Sequence, residues 1–593
     1  MAGTNGSAGS SGSAGSSGSA GSSGNVGPSG TAGTGGKAGA DGSAGSSGSA
    51  GSSGTAGTGG KAGVGGSGIA GTGGAAGTNG SGGGGGSSGT NGGGANGTGG
   101  AGGTAQGTGG SSASTGALIQ NDVFWKDTSG NPVYSQSGTV IKVASTYYWY
   151  GNKYQGAVTY AASPTGKKSD FTFDGVTCYS STDLVHWKYE NTVLVQGTVP
   201  GSAASDWFGR MGVVYNATTQ KYVLIMEYIP STATLGQELF ATSSTPTGAF
   251  AFDHIQTTLT NVANSAPGDQ TVFTDDDGQA YLILSSASGR SNLYVAPLRP
   301  SDFLSVESAT RIFGGPGREG NCMFKYNGVY YFTSSDLHGW NASHTYVISA
   351  TNILGPYSAE SVMANTDADF SHVTQTGFFI TVKGTSQTTV IFAGDRWSDF
   401  AGNGIGYNQW VPLTFVGTAP QFQSLSQWSL DATTGTWSVG PGNNYALNPS
   451  FEADRVTMTQ PAGWTTSTTL GGAATPYTNL GGGHTGNWKW RLTDTVSYEA
   501  SIAQTVTGLP NGTYTLSAWI ESSGGQSVAQ LFARNYGGAE VDASVNSAIG
   551  TWKQMSIAGI AVTNGTCQIG VQTTASANQW VDLDDVTLVK TSN

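Results

Sequence analysis

Between Leu118 and about Gly440 one unit returns five times: a polar or glycine-containing turn, an aromatic or aliphatic strand, a second turn and a second strand. The strand pairs are 147–150 with 177–180, 221–225 with 238–241, 280–284 with 292–295, 330–332 with 346–349, and 389–393 with 407–410. The echo extends past the strands, where Ser181-Thr182-Asp183-Leu184-Val185-His186-Trp187 matches Thr351-Asn352-Ile353-Leu354-Gly355-Pro356-Tyr357 in kind. No long stretch keeps a helical period, so an all-β chain is predicted. Repeats about 50 to 75 residues apart leave room for a four-stranded sheet each, and five such sheets in a ring make a five-bladed β-propeller. A β-sandwich is the alternative, but it does not need five copies of one unit.

Composition sets the boundaries on either side. Residues 1–116 are nearly all Gly, Ser, Ala, Thr and Asn, with Lys37, Asp41 and Lys61 their only charges, and they have no core to bury. Glycine recurs at every third position from Gly3 to Gly66, a collagen-like period, yet Pro28 is the tract's only proline where a triple helix needs roughly 15–20%. A low-complexity, flexible linker is expected, with a reach of roughly 55–65 Å. Residues 442–593 shift again. They open with Leu447-Asn448-Pro449-Ser450-Phe451-Glu452, run through short strands and close with Gln579-Trp580-Val581-Asp582-Leu583-Asp584-Asp585-Val586-Thr587-Leu588. Both ends are suited to lie side by side, as in a jelly-roll sandwich. The expected organisation is a linker (1–116), a propeller (117–441) and a sandwich (442–593).

Several classes of function are disfavoured. A net charge of −12 with no basic stripe argues against a nucleic-acid partner. Cys178, Cys322 and Cys567 are odd in number and far apart, so neither a disulfide framework nor a zinc site is expected. No run of about 18 apolar residues occurs, so no membrane span is expected.

The stretch most suggestive of chemistry is Arg318-Glu319-Gly320-Asn321-Cys322-Met323-Phe324-Lys325-Tyr326-Asn327-Gly328-Val329-Tyr330-Tyr331-Phe332. It is predicted to be a hairpin turning at Asn-Gly, with a carboxylic acid at the inner end of its first strand. Asp269 holds the equivalent place one repeat earlier, ahead of Asp275-Asp276-Asp277-Gly278, which is expected to be a solvated turn. Two carboxyls facing one pocket raise each other's pKa and keep one protonated, as protonating a glycosidic oxygen requires. A strand-end surface carboxylate is the alternative for either residue alone.

Glu-Gly followed by Lys-x-Asn-Gly-x-Tyr-Tyr, with Asp-x-x-x-Phe-x-Asp-Asp-Asp-Gly-x-x-Tyr-Leu one repeat before it, resembles the five-bladed propeller enzymes of glycoside hydrolase family 43. The resemblance covers roughly Leu118 to Gly440. It implies that Glu319 is the general acid, that Asp269 tunes and orients it, and that the reaction inverts the anomeric carbon. The family's usual first-blade aspartate base is missing from 132–141, and Asp127 upstream is expected to be a turn residue. That gap, together with Trp125-Lys126-Asp127-Thr128-Ser129-Gly130-Asn131, Thr374-Gln375-Thr376-Gly377-Phe378 and Gly394-Asp395-Arg396-Trp397, resembles the exo-β-1,3-galactanase branch, in which a glutamine positions the water. Gln375 takes that role by resemblance. The branch carries a glutamate before Arg-Pro on its second blade, where this chain reads Phe208-Gly209-Arg210-Met211.

Sugar contacts are expected from Trp340, Asn341, Arg210, Asp395, Arg396 and Trp397, with core packing the alternative for both tryptophans and an Asp395–Arg396 ion pair the alternative for those two residues. The C-terminal segment resembles carbohydrate-binding modules of the family 4, 9 and 22 type, which implies a structural calcium held by Glu452 and by Asp584 or Asp585, with plain strand-end carboxylates the alternative. Trp488, Trp490 and Tyr536 are the candidate binding face, with core packing favoured for at least one of the two tryptophans. No cofactor is expected for catalysis. The chain is expected to be a monomer acting on polysaccharide, secreted or at the cell surface, and the absence of a signal peptide before the Gly/Ser tract suggests that the true start lies elsewhere. The enzyme reading carries arabinofuranosidase or xylosidase activity as its neighbours within the family. A glycan-binding propeller without catalysis, or an adhesive protein working through its tract, are the other readings.

Overall fold

The structure, a computed structural model, describes residues 116–163, 170–339, 341–396, 407–453, 457–470 and 476–593. Apart from one α-helix, Gln155–Ala162, and short single turns, its regular structure is β. Five four-stranded antiparallel sheets follow one another, each in sequence order. Their first two strands are β1 (Gln136–Val143) and β2 (Thr146–Tyr154), β3 (Trp207–Asn216) and β4 (Lys221–Ile229), β5 (Pro267–Thr274) and β6 (Ala280–Ser286), β7 (Arg318–Tyr326) and β8 (Val329–Asp336), and β9 (Gln375–Lys383) and β10 (Thr388–Arg396). The repeating strand pairs of the sequence are the second and third strands of each sheet. The strand that carries the candidate acid comes before that pair.

The first strands pack beside one another in cyclic order, with β9 against β1. The apolar clusters follow the same order. Tyr150 and Cys178 meet Phe208 and Met226; Ile225 and Phe240 meet Leu282 and Tyr294; Ile283 and Val295 meet Met323 and Phe332; Phe324 and Tyr331 meet Phe392 and Val411. Fifth and first sheets meet through Trp149, Trp187 and Trp410, with Trp149–Trp410 centroids 4.9 Å apart and Trp149–Trp187 centroids 5.2 Å apart. Both faces of each sheet are buried, which is why the strands read as apolar runs without clean alternation. Truncating any one of these fully buried tryptophans to alanine would cost about 3–5 kcal/mol.

Ala117–Gln120 pairs antiparallel with Gln427–Leu430 and so joins the two ends of the five-sheet segment. Asn121 reinforces the join: its amide donates to the carbonyls of Trp410 (2.8 Å) and Leu425 (2.7 Å) and accepts from Trp410 N (2.9 Å).

Every first strand carries a β-bulge near its start, and each bulge contains a glycine: Gly138, Gly209, Gly268, Gly320 and Gly377. A bulge inserts a residue and re-aims its neighbours. Gly320 has φ +60°, and a Cβ there would lie 2.6 Å from the Thr376 carbonyl oxygen, so this close approach admits no other residue without strain.

Residues beyond Asn443 form two five-stranded sheets over one core. One runs Thr465–Leu470, Tyr498–Thr507, Thr566–Ala575, Val528–Arg534, Val541–Ser544 in spatial order. The other runs Tyr477–Gly481, Trp488–Thr493, Trp580–Ser592, Gly512–Ser522, Ile549–Val562. Trp490 and Tyr536 lie inside that core and Trp488 packs against it, so the expected binding face is mostly interior.

Candidate active site

The β7–β8 hairpin turns at Asn327 and Gly328, both at positive φ (49° and 78°), as a two-residue Asn-Gly turn requires. Glu319 lies just before the β7 bulge, opposite Ser335, and Asp269 lies within the β5 bulge. The two bulges lock together: Gly320 N donates to Asp269 Oδ2 at 2.8 Å, and Asn321 Nδ2 donates to the Asp269 carbonyl at 2.9 Å. Two carboxyls 50 residues apart in sequence thus become neighbours.

Their surroundings separate them chemically. Burial penalises the Asp269 charge, but Arg290 Nη1 at 2.6 Å from Oδ1, Arg210 Nε at 3.1 Å from Oδ2 and the Gly320 amide outweigh it and drive the pKa down to about 2. Glu319 is buried too, and Arg290 approaches it no nearer than 3.8 Å, at Oε2. Burial, and then the charge of Asp269, push its pKa up to about 8. One carboxyl stays ionised while the other keeps its proton at neutral pH.

Gln375 is the first residue of β9. Its Nε2 donates to Glu319 Oε1 (2.9 Å) and to the Gly339 carbonyl (3.4 Å), and its Oε1 accepts from Arg210 Nη2 (2.6 Å). Arg210 also donates through Nη1 to Asp395 Oδ2 (3.0 Å), and Asp395 Oδ1 accepts from Ser137 N (3.0 Å). Arg210 and Asp395, both expected to touch sugar, instead form the buried frame that holds Asp269 and Gln375. One planar guanidinium serves three acceptors, a geometry lysine cannot reproduce.

The backbone before Gln375 is unusual. Phe370, Ser371, His372 and Val373 all have φ between 49° and 58°, forming a left-handed turn of non-glycine residues. Such a conformation costs roughly 1–2 kcal/mol per residue. It is held from outside: Asp369 Oδ1 accepts from His372 N at 2.9 Å, His372 Nδ1 meets Ser424 Oγ at 2.6 Å, and His372 Nε2 meets Asp122 Oδ2 at 3.2 Å.

Arg396 pairs with Asp122 at 3.4 Å, and Asp395 with Arg210 at 3.0 Å. The Asn341 amide donates to the His338 carbonyl at 2.7 Å, beside Gly339. Asp127 accepts from Ser129 N and Asn131 N within its own loop, as a turn residue does. Asp275 and Asp276 do occupy a turn, but Lys325 bonds both (2.7 and 2.9 Å) and Lys383 bonds Asp276, tying the turn to later strands. Trp340 and Trp397 lie outside the described residues.

Sequence reasoning missed Arg290 and Glu227. Arg290 sits in the turn after β6, where nothing local marks it. Glu227 did leave a signal, as a lone acid inside the apolar run of β4, and burial followed by the charge of Asp269 pushes its pKa up to about 7.

At the expected calcium site, Glu452 Oε1 accepts from the backbone N of Asn487 and Trp488, both at 2.7 Å, while the buried Oε2 has no partner. Asp584 is buried beside it, and burial, Asp585 and Glu452 hold its pKa well above the usual range. Asp585 is engaged by His484 and Thr485. Among the described residues no three His, Cys, Asp or Glu side chains gather as a metal cluster. The orphaned oxygen and oxygen-only donors fit a hard cation through two carboxylates, Glu452 and Asp584.

Residues 129–407 match the family model Glycosyl hydrolases family 43. Among solved structures, a variant of exo-beta-1,3-galactanase from Phanerochaete chrysosporium with beta-1,3-galactotriose is 22% identical, covering 80% of this chain and 100% of that one with a TM-score of 0.50, a likeness of fold. An exo-beta-1,3-galactanase from Clostridium thermocellum is 20% identical, covering 80% and 100% with a TM-score of 0.49. A curated 1,6-alpha-glucosyltransferase from Sporosarcina globispora is 30% identical over 96 residues, 16% of this chain, and the match spans 7% of its length. The segment that brings Glu319, Asp269 and Gln375 together thus lies within the residues that match the glycosyl hydrolase family 43 model.

Proposed function

We propose that this domain is an inverting glycosidase that removes single sugars from the ends of β-1,3-galactan or related plant-type side chains. The observation that carries the reading is the Glu319–Asp269 pair: a buried carboxyl held protonated beside one held ionised, at the meeting point of the first strands. Glu319 donates its proton to the glycosidic oxygen, and Asp269 sustains the pKa that keeps the proton available. Gln375 orients the attacking water by its carbonyl, and solvent takes the water's proton, because a neutral amide is a poor base. The choice of galactan is supported by the names of the similar solved enzymes.

The five sheets are proposed to be the blades of a β-propeller, which their cyclic packing supports. The two C-terminal sheets are proposed to be a jelly-roll carbohydrate-binding module, in which calcium held by Glu452 and Asp584 would neutralise buried charge and have no part in the reaction. The protein is proposed to work as a secreted or cell-surface monomer. No helix of the described residues is long and apolar enough to cross a membrane.

The test is incubation of the full chain with β-1,3-galactan, arabinan and xylan oligosaccharides, following released sugar and its anomeric form by proton NMR. Galactose released with inverted configuration is expected. Retention of configuration refutes inversion, and arabinose or xylose in its place refutes galactan.

A further inference from the structure

Glu227 is a third carboxyl at this centre, and neither holding the proton nor holding Asp269 requires it. It sits on β4, 4% exposed, and its Oε2 accepts from the Trp207 indole N–H at 3.2 Å. Its Oε1 has no hydrogen-bond partner among the described residues. Glu238 Oε1 and Glu452 Oε2 are sealed orphans, but Glu227 Oε1 is not among the fully buried unpaired atoms. That oxygen therefore reaches open space.

Gly209 explains how the carboxyl gets there. A Cβ at position 209 would lie 2.1 Å from Glu227 Oε2 and 2.7 Å from Trp207 Nε1. The carboxyl occupies the space that a side chain on 209 would fill, and Gly209 shares the β3 bulge with Arg210, the residue that holds Asp269, Asp395 and Gln375. Asp269, Arg290 and Arg210 all act on the Glu227 charge through space, which sets it on the Asp269 side of the centre. A buried carboxyl with one hydrogen bond costs stability that an apolar residue of the same shape would not.

We propose that Glu227 is a substrate-binding carboxyl, delivered from β4 into the space vacated at Gly209, where its free oxygen accepts a hydrogen bond from a hydroxyl of the sugar lodged beside Glu319. This rests on the glycosidase reading. It also answers the chain's departure at position 209: the acid absent from that strand arrives from the next.

The test uses the full chain in four forms: wild type, Glu227→Gln, Glu227→Ala, and Glu227→Ala combined with Gly209→Glu. Gly209 is not at positive φ, and once Glu227 is gone only the Trp207 indole, 2.7 Å from a Cβ there, has to shift to admit a side chain. Kinetics on β-1,3-galactooligosaccharides are read beside thermal unfolding, and galactobiose binding is read by calorimetry in the Glu319→Gln background. Both single variants are expected to lose about 10- to 100-fold in kcat/KM, mostly through KM, and a similar factor in binding, with the relocated carboxyl recovering most of it. Unchanged kinetics and binding in Glu227→Gln overturn the proposal, as does a loss that disappears once only the folded fraction is counted. If the wild type hydrolyses nothing but binds sugar in a Glu227-dependent way, the glycosidase reading fails and Glu227 stands. If hydrolysis is normal and independent of Glu227, the reverse holds.

Discussion

Gln375 donates its side-chain N–H to Glu319 Oε1 across 2.9 Å while its own carbonyl oxygen accepts from Arg210 at 2.6 Å. An inverting glycosidase keeps its two working groups roughly 6.5–9.5 Å apart, so that a water fits on the far face of the sugar. Groups in direct contact leave no such room. The amide restrains the acid in this geometry, and the inversion proposed above requires the two groups to separate to admit sugar and water.

Replacing Glu319 with Gln is expected to lower kcat about 10²–10⁴-fold with the fold intact. Wild-type kcat should fall as pH rises through about 8, the pKa of the buried acid. Stability carries the same signature. The unfolded glutamate loses its proton near its ordinary value, so between there and about pH 8 the native state holds the extra proton and wild type loses stability as pH rises. Thermal unfolding of the Gln variant across this window should lack that slope. A kcat–pH profile flat to pH 10 would remove Glu319 as the acid.

Asp269→Asn should move the alkaline limb of the kcat profile to lower pH. The Asp269 charge raises the Glu319 pKa, and removing it leaves Arg290 and Arg210 to favour the Glu319 carboxylate. A limb that stays near pH 8 would show that burial alone sets the value.

Arg210→Met takes from Asp395 its buried cation and from Asp269 one of its two guanidinium partners, and is expected to cost about 3–5 kcal/mol and most of the activity. Arg210→Lys keeps the charge but loses the three-way fork, so it should unfold later than Met while regaining little kcat. Chemical denaturation and single-turnover rates would separate the two effects.

His372→Gln tests the left-handed turn. Burial opposes the imidazolium, but Asp122 and Asp369 outweigh it and push its pKa up to about 10. Because this exceeds the unfolded value, the stabilisation is full below about pH 6.5 and is lost as pH rises toward 10. The variant should show a lower melting temperature at pH 6, a smaller difference at pH 10, and a larger fall in kcat than in KM if the turn places Gln375.

The Asn327-Gly328 hairpin, the five strand pairs and the pairing of Glu319 with Asp269 were legible because each depends on local pattern or on a repeat. The middle strands were easier to read than the first ones. The first strands are interrupted by bulges at Gly138, Gly209, Gly268, Gly320 and Gly377, which break the alternation that marks a strand. The charged residues around the acid were harder. Arg210 reads as a sugar contact next to a glycine, and its guanidinium also holds Asp269, Asp395 and Gln375, which nothing in the sequence announces. Tyr536 looks like a surface aromatic and lies in a core, because nothing in a short segment tells which of its faces is covered.

The sequence by itself determined the β character of the chain, the strand pairs and the tight turn, since these follow from backbone preference and side-chain period over a few residues, and it nominated Glu319 as the acid through a resemblance. Only the tertiary structure decided what the acid is. Glu319 keeps its proton because Asp269, Arg290, Arg210 and Gln375, drawn from four different sheets or turns, meet around it in a site nearly closed to water. Charge interactions act through space and grow as water is excluded, and neither distance nor exclusion is written in residue order.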